Sequence, residues 1–255
     1  MEFRLNTNLS TGQAVLGINS NLSSMFSAME KLASGRSINS ATDSPAGLII
    51  SQQLQSQIGS LNQEIDNLSS NISKYETVSS SLGELRAQIS DLRSLAIGAA
   101  NEGFNSESAQ EAYATAADSL VSTFNRTVAN ASFNGSKTLD GSEGSLASIS
   151  EITDVDLSDP EAAAAAIETI DAAAREIDAA AVDVGSTQKY ELESRRASLQ
   201  VTKENLTAAE ASLSDTDYGV EMSNYVGSMI RSQAAIAMLS HSLMSGKSVV
   251  SLFGS

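Results

Sequence analysis

The side chains of this chain that could do chemistry are few, and their spacing works against them. His241 is the only histidine and there is no cysteine, so neither a thiolate nor a second imidazole can complete a zinc or copper set. His241 also falls within a C-terminal run of heptad-spaced apolar residues, which makes it a surface or seam position. The run DVDLSD (154–159) imitates the start of a calcium loop. It lacks glycine at the sixth place and holds Ala165 at the twelfth, where a bidentate glutamate is needed, so it reads as a solvated turn. No G-x-S-x-G elbow, glycine–lysine phosphate loop or dinucleotide fingerprint occurs. Triplets such as those at Asn125 and Asn134 fit the glycosylation pattern only as a chain rich in Ser and Asn makes them by chance. The sequence points away from an enzyme and implies no metal and no cofactor.

What the chain does carry is helical pattern. Val15, Ile18, Leu22, Met25, Met29 and Leu32 are spaced 3, 4, 3, 4, 3, the a/d seam of a helix made to pack on another. A weak stretch of small and polar residues follows, SGRSINSATDSPAGL (34–48). It ends in a helix start, with Ser44 as N-cap and Pro45 at the first helical position. Leu54, Ile58, Leu61, Ile65, Leu68, Ile72 and Tyr75 then keep a 4–3 rhythm. Val78, Leu82, Leu85, Ile89, Leu92 and Ala96 resume it after an extra three-residue step, a stammer that overwinds a coil locally. One helix from 45 to about 100 would be roughly 80 Å long at 1.5 Å per residue.

Asn101-Glu102-Gly103 interrupts that helix. A shorter one is predicted over about 106–129, with Tyr113, Leu120, Phe124 and Val128 on its buried side. Asn134-Gly135 and Asp140-Gly141 signal tight turns and a small β-hairpin element in the region of about 130–158. Asp159 and Pro160 open an alanine-rich helix with Ile167, Ile170 and Ile177. Leu192, Leu199, Leu206 and Leu213 recur every seven residues, as do Met222, Met229, Ile236, Leu243 and Val250. The fold class is mainly α, an elongated coiled-coil or helical bundle with one hairpin element. Aromatics at 4% and the lack of tryptophan agree with thin helix-on-helix packing.

Charge divides the chain further. Residues 1–40 and 218–255 carry Arg4, Lys31, Arg36, Arg231 and Lys247 against Glu2, Glu30 and Glu221, a balance of +2, so the middle carries −18 of a net −16. That balance excludes nucleic acid, which needs a basic face. No stretch has the length and apolarity of a membrane span, and MEFRLNTNLSTG lacks the apolar core of a secretory signal. Apolar seams on two ends with few charges bury too little between themselves to offset the entropy of ordering them. They suggest burial in an assembly.

Several blocks, quoted in order, carry a resemblance: SGRSINSATDSPAGL (34–48), LRSLAIGAANEG (92–103), FNRTVANASFNGSKTLDG (124–141), VGSTQKYEL (184–192), ENLTAAEASLSDTDYGVEMSNY (204–225) and SVVSLF (248–253). Together they cover nearly the whole chain, and it resembles the bacterial flagellins. The resemblance implies a filament subunit for swimming motility. Residues 1–33 and 218–255 would pair as an inner coiled-coil domain, 34–44 would be a connector, and 45–217 an outer helical bundle. Only residues 141–159 separate Asp140 from Pro160, where most of the family insert a variable outer region.

The same resemblance implies secretion through the flagellum's own type III channel. It also implies an export chaperone on the C-terminal helix, cap and junction proteins as further partners, and copies of the chain itself as the main partner. Inner packing falls to the two heptad series, and the connector to Gly35, Arg36, Ser37, Asn39 and Asp43. Two departures stand out. The family's arginine before isoleucine and second aspartate are replaced by Ser37 and Ser44, with Arg36 one place early, which weakens an inter-subunit salt bridge drawn from the family. Members recognised by the innate flagellin receptor hold arginine and glutamate where Asp91 and Ser94 stand, while Arg93 and Leu95 are kept. The reversed charge implies weak recognition. Rival readings are a hook–filament junction protein, to which Pro45 leans, and a signalling coiled coil, whose ends would carry more charge.

Overall fold

The computed structural model describes residues 9–101 and 106–253, with side chains over 11–101 and 106–244. In chain order the elements are α1 (Leu9–Ser34), α2 (Pro45–Ala99), α3 (Glu107–Asn130), β1 (Ser132–Phe133), β2 (Ser136–Lys137), α4 (Pro160–Ser186), a π-helical segment (Thr187–Glu193), α5 (Ser194–Ser214) and α6 (Tyr218–Phe253). The helix starts obey local chemistry. Ser44 Oγ accepts from Gly47 N at 3.1 Å, and Pro45 is the first residue of α2. Ser106 and Asp159 cap α3 and α4 in the same way, accepting from Ala109 and Ala162. Many serines and threonines of the long helices bond the carbonyl four residues back, as Ser60, Ser69, Thr77 and Ser81 do, which satisfies them without a tertiary partner.

The chain divides into two compact units, Leu61–Thr202 and the combined segments Met1–Ser60 and Lys203–Ser255. The first of these, the central unit, contains the large core. Val78, Leu82, Leu85, Ile89, Leu92 and Ala96 of α2 are buried with Ala117, Phe124 and Val128 of α3 and with Ala163, Ala166, Ile170, Ile177 and Val184 of α4. The expected 78–96 rhythm is therefore the core face of α2. Gln110 is buried too, donating to the carbonyls of Ala99 at 3.1 Å and Leu157 at 2.9 Å. That bond pair satisfies a helix end and a loop at once.

The hairpin is short. Ser132 pairs with Lys137 and Phe133 with Ser136, antiparallel. Asn134 (φ 49°) and Gly135 (φ 80°) both take left-handed backbone, the combination a two-residue hairpin turn with the right twist requires. The loop beyond it folds back onto the core through Leu139, Ile149, Ile152 and Leu157, all buried. Asn125 clamps it with both ends of its amide: Nδ2 donates to Ile152 O at 2.8 Å and Oδ1 accepts from Ile152 N at 3.0 Å. Within DVDLSD, Asp156 accepts from Ser158 N at 2.8 Å and Asp159 caps α4, so the run serves as a turn and a helix start.

The terminal unit is built differently. α1 packs along α6, and among the described residues its buried hydrophobic side chains are Ala28 and Ala235. The other side chains enclosed there, among those described, are serines, Ser51, Ser214, Ser228 and Ser232.

Candidate assembly surface

The stretch between α1 and α2 is short of bulk but not short of bonds. α1 ends when Gly35 turns to φ 72° and its N–H donates back to Lys31 O at 2.8 Å, the left-handed stop that glycine adopts without strain. Ser37 N donates to Ser214 O at 2.7 Å and Thr216 N to Gly35 O at 3.0 Å, so Arg36 and Asp215 form an antiparallel bridge. Asp43 then gathers the rest of the turn. Its Oδ2 accepts from Asn39 N (3.0 Å), Ser40 N (2.8 Å) and Ser40 Oγ (3.0 Å). These donors hold its carboxyl below the usual aspartate range, the Ser40 N–H contributing most. Gly47 lies where the turn closes on α2: a Cβ there would come within 2.6 Å of Ile38 Cδ1.

Glu210 of α5 is a second gathering point. It accepts from Gln55 Nε2 at 2.8 Å, Ser214 Oγ at 2.9 Å and Ser51 Oγ at 3.0 Å. The Gln55 bond leads the causes that depress its pKa, and Arg36 adds attraction. No apolar pattern points to Glu210. Its signal is position, because it occupies the seam place between Leu206 and Leu213 of that heptad series.

The α1–α6 pair uses narrower side chains than the sequence suggested. On α6 the covered positions include Tyr225, Ser228, Ser232, Ala235 and Leu239, a 3, 4, 3, 4 seam made mostly of small residues. Of the expected α6 series, Met229 is half-buried, whereas Met222, Ile236 and Leu243 are 50%, 53% and 51% exposed. Val250 lies outside the described side chains. On α1 the expected Ile18, Leu22, Met25 and Leu32 are half-buried, but Val15 and Met29 stand 42% exposed. Ala14 and Ala28 take their places on the covered face. Serine and alanine let two helix backbones approach closely, which turns the bulkier heptad one step off the contact. At the end of the pair near the connector, Tyr218 Oη donates to Leu32 O at 2.6 Å and Lys31 faces Glu221 at 3.5 Å.

Large apolar groups consequently stand on the uncovered sides of both helices. Leu16 and Phe26 of α1 are exposed, as are Val220, Val226, Ile230, Met238 and Met244 of α6. Those α6 residues, together with Met222 and Ile236, fall on widely separated sides of the helix. A helix apolar around most of its circumference is one meant to be surrounded, and among the described residues α6 has α1 along one side.

The residues expected for the innate-receptor surface belong to the central unit. Asp91, Arg93 and Ser94 are exposed and Leu95 is half-buried against the core. Arg93 is committed to Asp171 of α4 through Nε at 2.6 Å and Nη2 at 3.4 Å. That pairing lowers the Asp171 pKa and raises that of Arg93. Arg86 pairs with Asp178 about two helical turns away. Among the connector residues, Gly35, Ser37 and Asn39 are half-buried while Arg36 and Asp43 are exposed. Among the described residues no cluster of three His, Asp or Glu side chains is placed to hold a metal.

The elements thus define a mainly α-helical protein with paired terminal helices and a short antiparallel hairpin. Comparison with known proteins makes this specific. Residues 5–144 match the bacterial flagellin N-terminal helical region and residues 167–253 the bacterial flagellin C-terminal helical region, and the chain belongs to the flagellin family. It is similar to the flagellar filament 33 kDa core protein of Treponema phagedenis, 32% identical over 97% of this chain and 99% of the relative. The flagellin of Halalkalibacterium halodurans is 31% identical over 97% and 98%. That of Bacillus subtilis is 28% identical over 98% and 99%.

Proposed function

We propose that α1 and α6 form the polymerising element of a flagellar filament subunit, with their uncovered apolar sides taken up by other copies of the chain. As a flagellin, the chain is a structural subunit of the bacterial flagellar filament, exported to the cell exterior and serving motility. The single observation that carries the finer reading is the contrast between the units. The central unit buries Leu, Ile, Val and Phe, while the described part of the terminal unit buries no hydrophobic side chain beyond alanine and leaves most of its large ones exposed. Burial is worth roughly 25 cal/mol per Å² of apolar surface, so a second copy laid along α6 gains more there than on any part of the acidic central unit.

On this reading residues 1–33 and 218–255 are the inner layer, 34–44 the connector and 45–217 the outer bundle. An export chaperone would shield the same uncovered face of α6 before assembly, and cap and junction proteins would meet it at the filament's ends. Asp91, of opposite charge to the family's receptor-binding arginine, and Arg93, already paired with Asp171, support weak recognition by the innate flagellin receptor. A cell reporter strongly stimulated by the purified chain would contradict that part. The main test is seeding: purified chain added to filament fragments should extend them under the electron microscope. Failure to extend any seed across a range of concentrations and salts would overturn the assembly reading.

A further inference from the structure

We propose that the α1–α6 pair is a site of reversible methionine oxidation that decides whether an unassembled chain can polymerise. The inference rests on the assembly reading above. It starts from a distribution. Of the seven methionines, all but Met1 lie on α1 or α6, namely Met25, Met29, Met222, Met229, Met238 and Met244, and residues 61–202 contain none. The central core is filled instead with Leu, Ile, Val, Ala and Phe. The methionines are also open: Met29 is 42% exposed, Met222 50%, Met238 65% and Met244 67%. No cysteine or tryptophan competes for an oxidant anywhere in the chain, so these thioethers are its principal sink for peroxide.

The reaction needs only a hydroperoxide such as hydrogen peroxide. A sulfur lone pair attacks one peroxide oxygen, the S–O bond forms as the O–O bond breaks, and the departing hydroxide takes the remaining proton to leave as water. Sulfur is oxidised by two electrons and the peroxide reduced by two. The product sulfoxide is polar and chiral, and a thiol-dependent reductase reverses it. Each sulfoxide on the uncovered face of α6 adds a strong hydrogen-bond acceptor to a surface that must enter an apolar interface, where an unpaired acceptor is costly. Once a chain is assembled, the same side chains are covered. Oxidation therefore acts on the free chain and spares the finished filament.

The test uses the full chain. Monomer is treated with hydrogen peroxide, oxidised residues are located by peptide mass mapping, and extension of untreated seeds is measured against untreated chain. Met29, Met222, Met238 and Met244 should oxidise before Met25 and Met229, and extension should fall at least about tenfold. Methionine sulfoxide reductase with a thiol should restore it. Met238→Leu combined with Met244→Leu, with extension after peroxide compared to that variant's own untreated rate, should blunt the loss. If that variant does not extend seeds untreated, the reductase arm on the natural chain decides. Oxidised chain that extends seeds at the untreated rate, loss that the reductase does not reverse, or filament methionines that oxidise as fast as those of monomer would each overturn the proposal. Because untreated chain is measured alongside, failure of polymerisation itself is read separately.

Discussion

Gly35 and Glu210 show how much of the terminal unit's order rests on single residues. A Cβ on Gly35 would meet nothing within 4 Å, so the cost of replacing it comes from its φ of 72° alone. That conformation costs an L-residue roughly 1–2 kcal/mol. Gly35→Ala should therefore slow seed extension and lower the stability of α1. Gly35→Asn, which tolerates left-handed backbone better, should do so less. Denaturant titration followed by hydrogen exchange in α1 reads the difference.

Glu210 gives a pH dependence. Its folded pKa is depressed by the donors from Gln55, Ser214 and Ser51, so on acidification the unfolded chain takes up the proton first. The stability it contributes is complete above the ordinary glutamate value and drains away as pH falls through the lowered folded value. Exchange protection around the α5–α6 junction should fall in that acid window. Glu210→Gln, which has no charge to lose, should flatten the dependence, and an equal loss in both proteins would refute it.

At the scale of elements, the two units should answer mutation differently. Phe124 is 1% exposed in the central core, and Phe124→Ala should cost about 3–5 kcal/mol of stability. Ile236, 53% exposed on α6, should tolerate aspartate in the monomer with little change in melting. Ile236→Asp should nonetheless abolish extension of seeds, because a charge would enter the subunit contact unpaired. A monomer destabilised by Ile236→Asp as much as by Phe124→Ala would show that Ile236 is already buried within the single chain.

The same elements show what could be read in advance. α2 was legible end to end, from the Ser44-Pro45 start to the 78–96 core face, because capping chemistry and large apolar periodicity are both local. So were the Asn134-Gly135 turn and the α4 start at Asp159. The α6 seam was not legible from apolarity. Its covered positions are Ser228, Ser232 and Ala235, and a search for large apolar residues selects the neighbouring Met222, Ile236 and Leu243. The strap joining Ser37 to Ser214 was hidden for another reason: it is a backbone bond between segments far apart in sequence, which no side-chain pattern announces. The π-helical turns at Thr187–Glu193 likewise left no mark in the spacing that we can account for.

On the proposed reading the whole molecule divides its labour, the central unit being stable by itself and the terminal unit completed by neighbours. The central unit has a contiguous core from α2, α3, α4 and the returning loop. The terminal pair presents Leu16, Phe26, Ile230, Met238 and Met244 to solvent, and elements with so few buried apolar contacts open at low free energy. Hydrogen exchange followed by mass spectrometry, run on monomer and on filament of the same chain, tests this most directly. The account predicts fast exchange over α1 and α6 in the monomer and strong protection of both in the filament, while α2 from Val78 to Ala96 stays protected throughout. Terminal helices as protected as that core in the dilute monomer, and unchanged on assembly, would contradict it.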